Sequence, residues 1–297
     1  MIMNNTPTDK GTDKGTGTMS AVNRPTCQKK YKVDYFHVDL NNRIKLSSLF
    51  NYMQDIAGIH ANELKCGYDI LSKLGITWIM LRAKIQMQSY PCWGDIITVK
   101  TSTNGVDKLC AVREFEFIDA DGRSIGYAIT YWILYDIAGH KVVRMNHSGF
   151  ELPEHLTVKY GDYEKLTRIK AQGELKSEST RRAQYNDIDT NIHVNNARYI
   201  EWLTDAVYED VKADVDAKEN VGADAKAGAD VGADVDADVD AKDQMLIKSL
   251  HVGFTSSVKL GDYVSIKKFI FPEKDKDVVL RVYKDDIEYL QAEVELN

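Results

Sequence analysis

The feature that most constrains the fold of this chain is an internal repeat. When the numbering is shifted by 150 residues (185 − 35), a polar motif in the first half coincides with one in the second half. The matched pairs are Tyr35 with Tyr185, Val38 with Ile188, Asp39 with Asp189, and Asn41 with Asn191. Because repeated units bury their apolar faces against one another, the repeat predicts two related halves.

Each copy of the motif leads into an amphipathic helix. Apolar residues recur at helical spacing from Leu46 to Leu64 in the first half and from Tyr199 to Val207 in the second half. This spacing places them on one face of each helix. Small polar residues at the start of each stripe are typical of helix N-caps. The expected caps are Ser47 or Ser48 for the first helix and Asn195 or Asn196 for the second.

Strand patterns follow each helix. Apolar runs broken by turn residues predict four strands in each half, at 78–89, 95–102, 108–118 and 123–136, and at 246–256, 263–271, 277–283 and 287–296. One helix packed on one curved antiparallel sheet is an α+β unit that buries the helix stripe. Two such units can join edge to edge, which covers a strand edge of each.

The net charge of −7 is concentrated in one low-complexity segment. Residues 209–243 contain 12 acidic residues and 4 lysines, a net −8, which leaves about +1 for the other 262 residues. This balance provides no basic face for nucleic acid. The Ala, Asp, Gly and Val repeats of the segment supply too little apolar surface to become ordered. We therefore expect a solvated acidic insertion.

The expected organisation has four parts. A disordered tail covers residues 1–26, the first half 27–145, a linker 146–180, and the second half, with its insertion at 209–243, residues 181–297. The sequence contains no run of about 18 apolar residues, so no membrane span is predicted. The N-terminus lacks the apolar core of a secretory signal. The four cysteines have no metal-ligand or paired spacing. These features favour a cytoplasmic protein.

The candidate chemistry lies in the second copy of the motif. Asp189, Asn191 and His193 alternate, so in extended backbone they would share one side. A helix N-terminus follows, where free N–H groups favour negative charge. A histidine can move a proton near neutral pH, and an adjacent carboxylate can orient it. The first half has Arg43 in place of the histidine. Taken alone, this spacing is equally compatible with capping and Asx-turn residues.

The string DxNxHVNNxxYIxW, from Asp189 to Trp202, resembles the acyl-acyl carrier protein thioesterase family of plant plastids and bacteria. The first-half string FHVDxNNR, the segment from Thr77 to Arg82 and the closing Gly261–Asp262 pair are also similar to that family. The resemblance covers 30–208 and 244–297. It implies a double hotdog fold, in which two tandem hotdog repeats each wrap an antiparallel sheet around a long helix.

The resemblance also implies an activity, namely hydrolysis of fatty acyl chains carried on acyl carrier protein, without a metal or other cofactor. It assigns catalysis to Asp189, Asn191 and His193. The acyl-chain pocket would lie in the first half. Its expected substrate-binding residues are Met53, Ala57, His60 and Trp78, together with Asn195 and Asn196 beside the catalytic motif. The expected partner is the acyl carrier protein, a homodimer is one option for the assembly, and nucleic acid is not expected to bind.

One position departs from the family pattern. Where the family carries a catalytic glutamate after the strand that contains Phe254, this chain has Ser257. A serine hydroxyl can hold a water molecule but cannot act as a carboxylate base. Ser257 therefore keeps open the alternative of a catalytically weak acyl-binding hotdog protein. A second alternative is an acyl-CoA thioesterase, although the sequence shows no sign of the basic groove that would bind the nucleotide.

Overall fold

In the computed structural model of the protein, one antiparallel sheet runs through both halves. The structure describes residues 26–145, 160–161, 164–209, 246–272 and 274–297. Ten strands follow the order β1-β3-β4-β5-β2-β8-β11-β10-β9-β7, and β6 pairs with β5. The strands are β1 Thr26–Lys32, β2 Ile76–Met87, β3 Ile96–Asp107, β4 Cys110–Ile118, β5 Ser124–Asp136, β6 Lys141–Val143, β7 Glu174–Arg182, β8 Ile247–Phe254, β9 Tyr263–Phe271, β10 Lys274–Lys284 and β11 Ile287–Leu296.

Helix α1, Leu46–Glu63, packs on the first half of the sheet, where it contacts β1 and β3. Its N-cap is Lys45, whose N–H is bonded to the His37 carbonyl at 2.9 Å. The prediction of Ser47 or Ser48 as the cap is therefore wrong. Both serines are buried in the first helical turn, and Ser48 donates its hydroxyl hydrogen bond to the His37 carbonyl instead. A short helix α2, Tyr68–Leu71, follows α1.

Helix α3, Asn196–Val207, occupies the corresponding place in the second half, where it contacts β9 and β10. Its N-cap is Asn195, as the sequence predicted, and the side-chain oxygen of Asn195 accepts a hydrogen bond from the Ala197 N–H at 2.8 Å. Such a bond satisfies one of the free donors of the first turn. This cap fixes the start of α3 immediately after the candidate catalytic motif.

The two halves are joined by β2 and β8. Five consecutive residues, Arg82–Gln86, pair with Ser249–Gly253 in antiparallel register. The pairing covers one edge of each half, as expected for an edge-to-edge union. Helices α1 and α3 pack against each other on one side of this sheet, and their apolar faces belong to a single buried core. The α+β double hotdog architecture is confirmed.

The boundary expected for the second half is wrong. Strand β7, Glu174–Arg182, begins within the segment 146–180 that the sequence assigned to a linker, and it pairs with β9. As an edge strand it is mostly exposed and polar, so it has no apolar alternation that would reveal it. Most of the predicted tail (1–26) and insertion (209–243) lies outside the described residues.

The repeated polar motif forms the same tight turn in both halves. The N–H of Asp39 bonds to the carbonyl of Arg43 at 2.8 Å, and the N–H of Asp189 bonds to the carbonyl of His193 at 2.9 Å. Each turn contains one residue in the left-handed region, Asn42 at φ 60° and Ile192 at φ 65°. Asparagine tolerates this conformation, whereas a β-branched side chain is strained in it.

We predict that Ile192→Asn raises the free energy of unfolding by about 1 kcal/mol, because it relieves left-handed strain. The side chain of Ile192 is 73% exposed, so the substitution removes little apolar burial. The measurement is urea denaturation. The reciprocal variant Asn42→Ile is the matched control and should lower stability. A less stable Ile192→Asn protein would show that the turn is not strained.

Candidate functional site

The three residues of the candidate catalytic motif lie in a turn and not in extended backbone. The carboxylate of Asp189 accepts a hydrogen bond from the Asn191 N–H at 2.8 Å, and the Asp189 N–H bonds to the carbonyl of His193. Of the two arrangements that the sequence left open, the structure therefore has the turn and not the extended segment. The cause is the Asx turn of Asp189, which offers the backbone a local acceptor and reverses the chain. The turn keeps all three residues close to the start of α3.

A second loop braces this turn. The N–H of Val194 bonds to the carbonyl of Val258 at 2.9 Å, and the N–H of Val258 bonds to the buried hydroxyl of Tyr199 at 2.9 Å. Ser257 precedes Val258 in this loop and is exposed. Ser257 therefore lies on the segment that flanks His193.

The electrostatic surroundings of His193 favour the neutral imidazole. Its pKa lies below the usual value of 6.5, chiefly because partial burial disfavours the charged form. The carboxylate of Asp189 raises the pKa of His193, and the ammonium group of Lys259 lowers it. A neutral imidazole can accept a proton at neutral pH.

The first half contains an apolar cavity of about 240 Å³ between α1, α2 and the sheet. Three small residues of α1, Ala57, Gly58 and Ala61, leave this space open, and Gln54 lies on the same helix face. The remaining lining residues come from the α1–α2 connection, from α2 and from strands β2 to β5, and they are Cys66, Gly67, Tyr68, Leu71, Thr77, Trp78, Thr103, Ala111, Val112, Arg113 and Trp132.

One side chain connects this cavity to the turn of the second half. The amide nitrogen of Gln54, in the cavity wall, donates a long hydrogen bond of 3.4 Å to the side-chain oxygen of Asn195. Asn195 is two residues after His193 and caps α3. The cavity of one half therefore lies beside the polar turn of the other half.

Only some of the predicted pocket residues line the cavity. Ala57 and Trp78 line the cavity. Met53 is only 1% exposed and belongs to the core, and His60 is buried behind the wall, where its Nδ1 accepts a hydrogen bond from Arg113 at 2.9 Å. Neither of these two residues is in the lining. Asn196 is the half-buried first residue of α3.

Sequence reasoning missed Gln54, Thr103 and Arg113. A signal for Gln54 was present, because it shares a helix face with small residues that leave room for a ligand. Arg113 alternates with Phe115 and Phe117 along β4, which places a charge on an apolar face. Such a buried charge is unusual and indicates a specific role.

Within the described ranges, no cluster of three His, Cys, Asp or Glu side chains could hold a metal ion. In the same part of the chain, no helix combines the length and the hydropathy that a bilayer crossing needs.

Two family models match the chain. The acyl-ACP thioesterase N-terminal domain matches residues 25–151, and the acyl-ACP thioesterase C-terminal domain matches residues 170–227. An oleoyl-acyl carrier protein thioesterase 2, chloroplastic, of Arabidopsis thaliana is 25% identical over 203 residues, which is 62% of this chain and 54% of the relative. A palmitoyl-acyl carrier protein thioesterase, chloroplastic, of the same plant is 23% identical over 193 residues, which is 60% of this chain and 46% of the relative. The chain thus spans about half the length of these curated relatives.

Solved structures share the fold. An acyl-ACP thioesterase from Bacteroides thetaiotaomicron superposes with a TM-score of 0.72 at 24% identity, covering 94% of this chain and all (100%) of that one. A 12:0-ACP thioesterase from Umbellularia californica has a TM-score of 0.66 at 17% identity, with coverages of 92% and 98%. At these identities the likeness establishes the double hotdog fold.

The charges around His193 give a prediction that needs no activity assay. We expect Lys259→Gln to raise the pKa of His193, because a nearby positive charge is removed, and Asp189→Asn to lower it. The asparagine keeps an oxygen for the Asn191 N–H, so the turn persists. NMR titration of the imidazole measures both shifts. His37, in the first half, serves as the internal control, because its pKa should not change. An unchanged pKa of His193 in both variants would contradict this account.

Proposed function

Because the chain belongs to the acyl-ACP thioesterase family, we propose that it hydrolyses the thioester of a fatty acyl chain carried on acyl carrier protein. The products are the free fatty acid and the carrier protein with its free thiol. This reaction ends elongation of the acyl chain.

The observation that carries the proposal is the contact between the two halves. An apolar cavity suits a hydrocarbon chain, and Gln54 in its wall reaches Asn195 beside the His193 turn. A chain that fills the cavity would present its thioester to that turn. Neither half supplies both parts of such a site.

In the proposed reaction a water molecule attacks the thioester carbonyl carbon while neutral His193 takes one of its protons. The carbonyl π bond then re-forms, the carbon–sulfur bond breaks, and the leaving thiolate takes the proton back from the imidazole. The lowered pKa of His193 suits it to the first step, because the imidazole stays neutral, and so can accept a proton, at a lower pH than an ordinary histidine does. No cofactor is required by this sequence of steps.

The other residues of the turn support His193. Asp189 fixes the turn through its bond to the Asn191 N–H and favours the imidazolium that forms during the reaction. We propose that Asn191 and the N-terminus of α3, with Asn195 and Asn196, hold the carbonyl oxygen as it gains negative charge. Ser257 would orient the attacking water rather than take its proton.

Acyl carrier protein is the proposed partner. A cytoplasmic location and a homodimer also stay predictions, and the two curated relatives described above are named as chloroplastic. An acyl-CoA thioesterase and a weakly catalytic acyl-binding protein are the rival functions, and both are outcomes of the experiment below.

We predict that His193→Ala lowers kcat/KM for acyl-acyl carrier protein by at least about 10²-fold, the scale of a lost general acid–base group. Asp189→Asn should also lower kcat/KM, because the turn is kept but the charge is lost. The assay measures thiol release from acyl-acyl carrier protein and, in parallel, from the matching acyl-CoA.

The matched control is Asp39→Asn, which makes the same change at the equivalent turn of the first half, where Asp39 accepts the Asn41 N–H at 2.8 Å. We expect it to retain activity. Loss of turnover in Asp39→Asn together with full activity in His193→Ala would move the site to the other half. Faster hydrolysis of acyl-CoA would favour the first rival, and binding without turnover would favour the second.

A further inference from the structure

The apolar cavity contains a buried cation. Arg113 lines it and is only 8% exposed. The Nη1 of Arg113 donates to His60 Nδ1 at 2.9 Å and to the Thr101 hydroxyl oxygen at 3.2 Å. Neither of these two acceptors is a carboxylate, and burial lowers the pKa of the Arg113 guanidinium to about 10. A buried charge of this kind is costly unless a partner compensates it.

An unpaired hydroxyl lies directly opposite Arg113. Thr103 is its cross-strand partner on β3, so both side chains point to the same face of the sheet. Thr103 also lines the cavity and is 6% exposed, and its hydroxyl oxygen has no hydrogen-bond partner among the described residues. Buried polar groups are normally hydrogen-bonded, so an orphaned one calls for a ligand or a water molecule.

These two polar groups do not lie at the end of the cavity that is nearest to the proposed reaction centre. Gln54 marks the end of the cavity nearest to Asn195. His60, the partner of Arg113, is six residues further along α1, which is about 9 Å at the helical rise. An acyl chain whose thioester lies beside His193 would therefore meet Arg113 and Thr103 with its distal part.

We propose that Arg113 and Thr103 bind a hydroxyl group on the distal part of the acyl chain, so that the preferred substrate is a hydroxyacyl thioester. This inference rests on the proposed function. A hydroxyl can accept a hydrogen bond from the guanidinium and donate one to the Thr103 oxygen. An unsubstituted chain would leave the Thr103 hydroxyl unpaired, and a site built to bond a substrate hydroxyl discriminates against analogues that lack it.

The test compares lauroyl-acyl carrier protein with its positional hydroxy isomers. Wild-type protein should hydrolyse the best distal hydroxy isomer with a kcat/KM about tenfold above that of the unsubstituted chain, while the β-hydroxy isomer should gain nothing. Thr103→Val keeps the shape of the side chain and removes its hydroxyl, so the ratio should fall towards one. Thr98→Val makes the same change on β3 outside the cavity and should leave the ratio unchanged.

Two results would overturn the inference. One is equal or faster hydrolysis of the unsubstituted chain by the wild-type protein, and the other is an unchanged ratio in a Thr103→Val protein with a normal melting temperature. If none of the thioesters is hydrolysed, the proposed function fails separately. In that case calorimetry measures the binding of lauric acid and its distal hydroxy isomers to the wild-type, Thr103→Val and Thr98→Val proteins. The ratio of the affinity for the hydroxy acid to that for lauric acid then decides the inference in the same way.

Discussion

The antiparallel pairing of β2 with β8 is the interaction on which the rest of the structure depends. It joins two sheets through Arg82–Gln86 and Ser249–Gly253 and removes an exposed edge from each. Because each sheet carries its own helix, the same pairing brings α1 and α3 side by side. Only then can Gln54 of the first half reach Asn195 of the second. The candidate site is therefore a product of the union and not of either half.

The two halves have kept the same backbone and diverged in side chains. Both turns close with the same hydrogen bond, and both lead directly into a helix. The first turn carries Arg43, and the second carries His193 in a partly buried place that lowers its pKa. The first half instead provides space, through the small residues Ala57, Gly58 and Ala61 of α1. The cavity described here thus lies in the first half, and the candidate proton acceptor His193 lies in the second half.

The sequence predicted the architecture well because its signals are periodic. The repeat, the helix stripes and the alternating strands each reflect burial on one face. Most of edge strand β7 was assigned to the linker, because this strand is mostly exposed and polar. At Asp189 the sequence left both an extended segment and an Asx turn open, because alternation along the sequence cannot decide whether a carboxylate accepts the Asn191 N–H. Periodicity also could not show whether Met53 belongs to the core or to the pocket, since core residues and pocket residues share the same spacing.

The central claim is that the first half holds the acyl chain while the second half holds the thioester. A crystal structure of the protein with a non-hydrolysable acyl thioether analogue of the substrate tests it most directly. The account predicts that the hydrocarbon tail lies between Ala57 and Trp78 and that the carbonyl lies at the turn that carries His193. A tail bound outside this cavity, or a carbonyl beside Arg43 of the first turn, would contradict it.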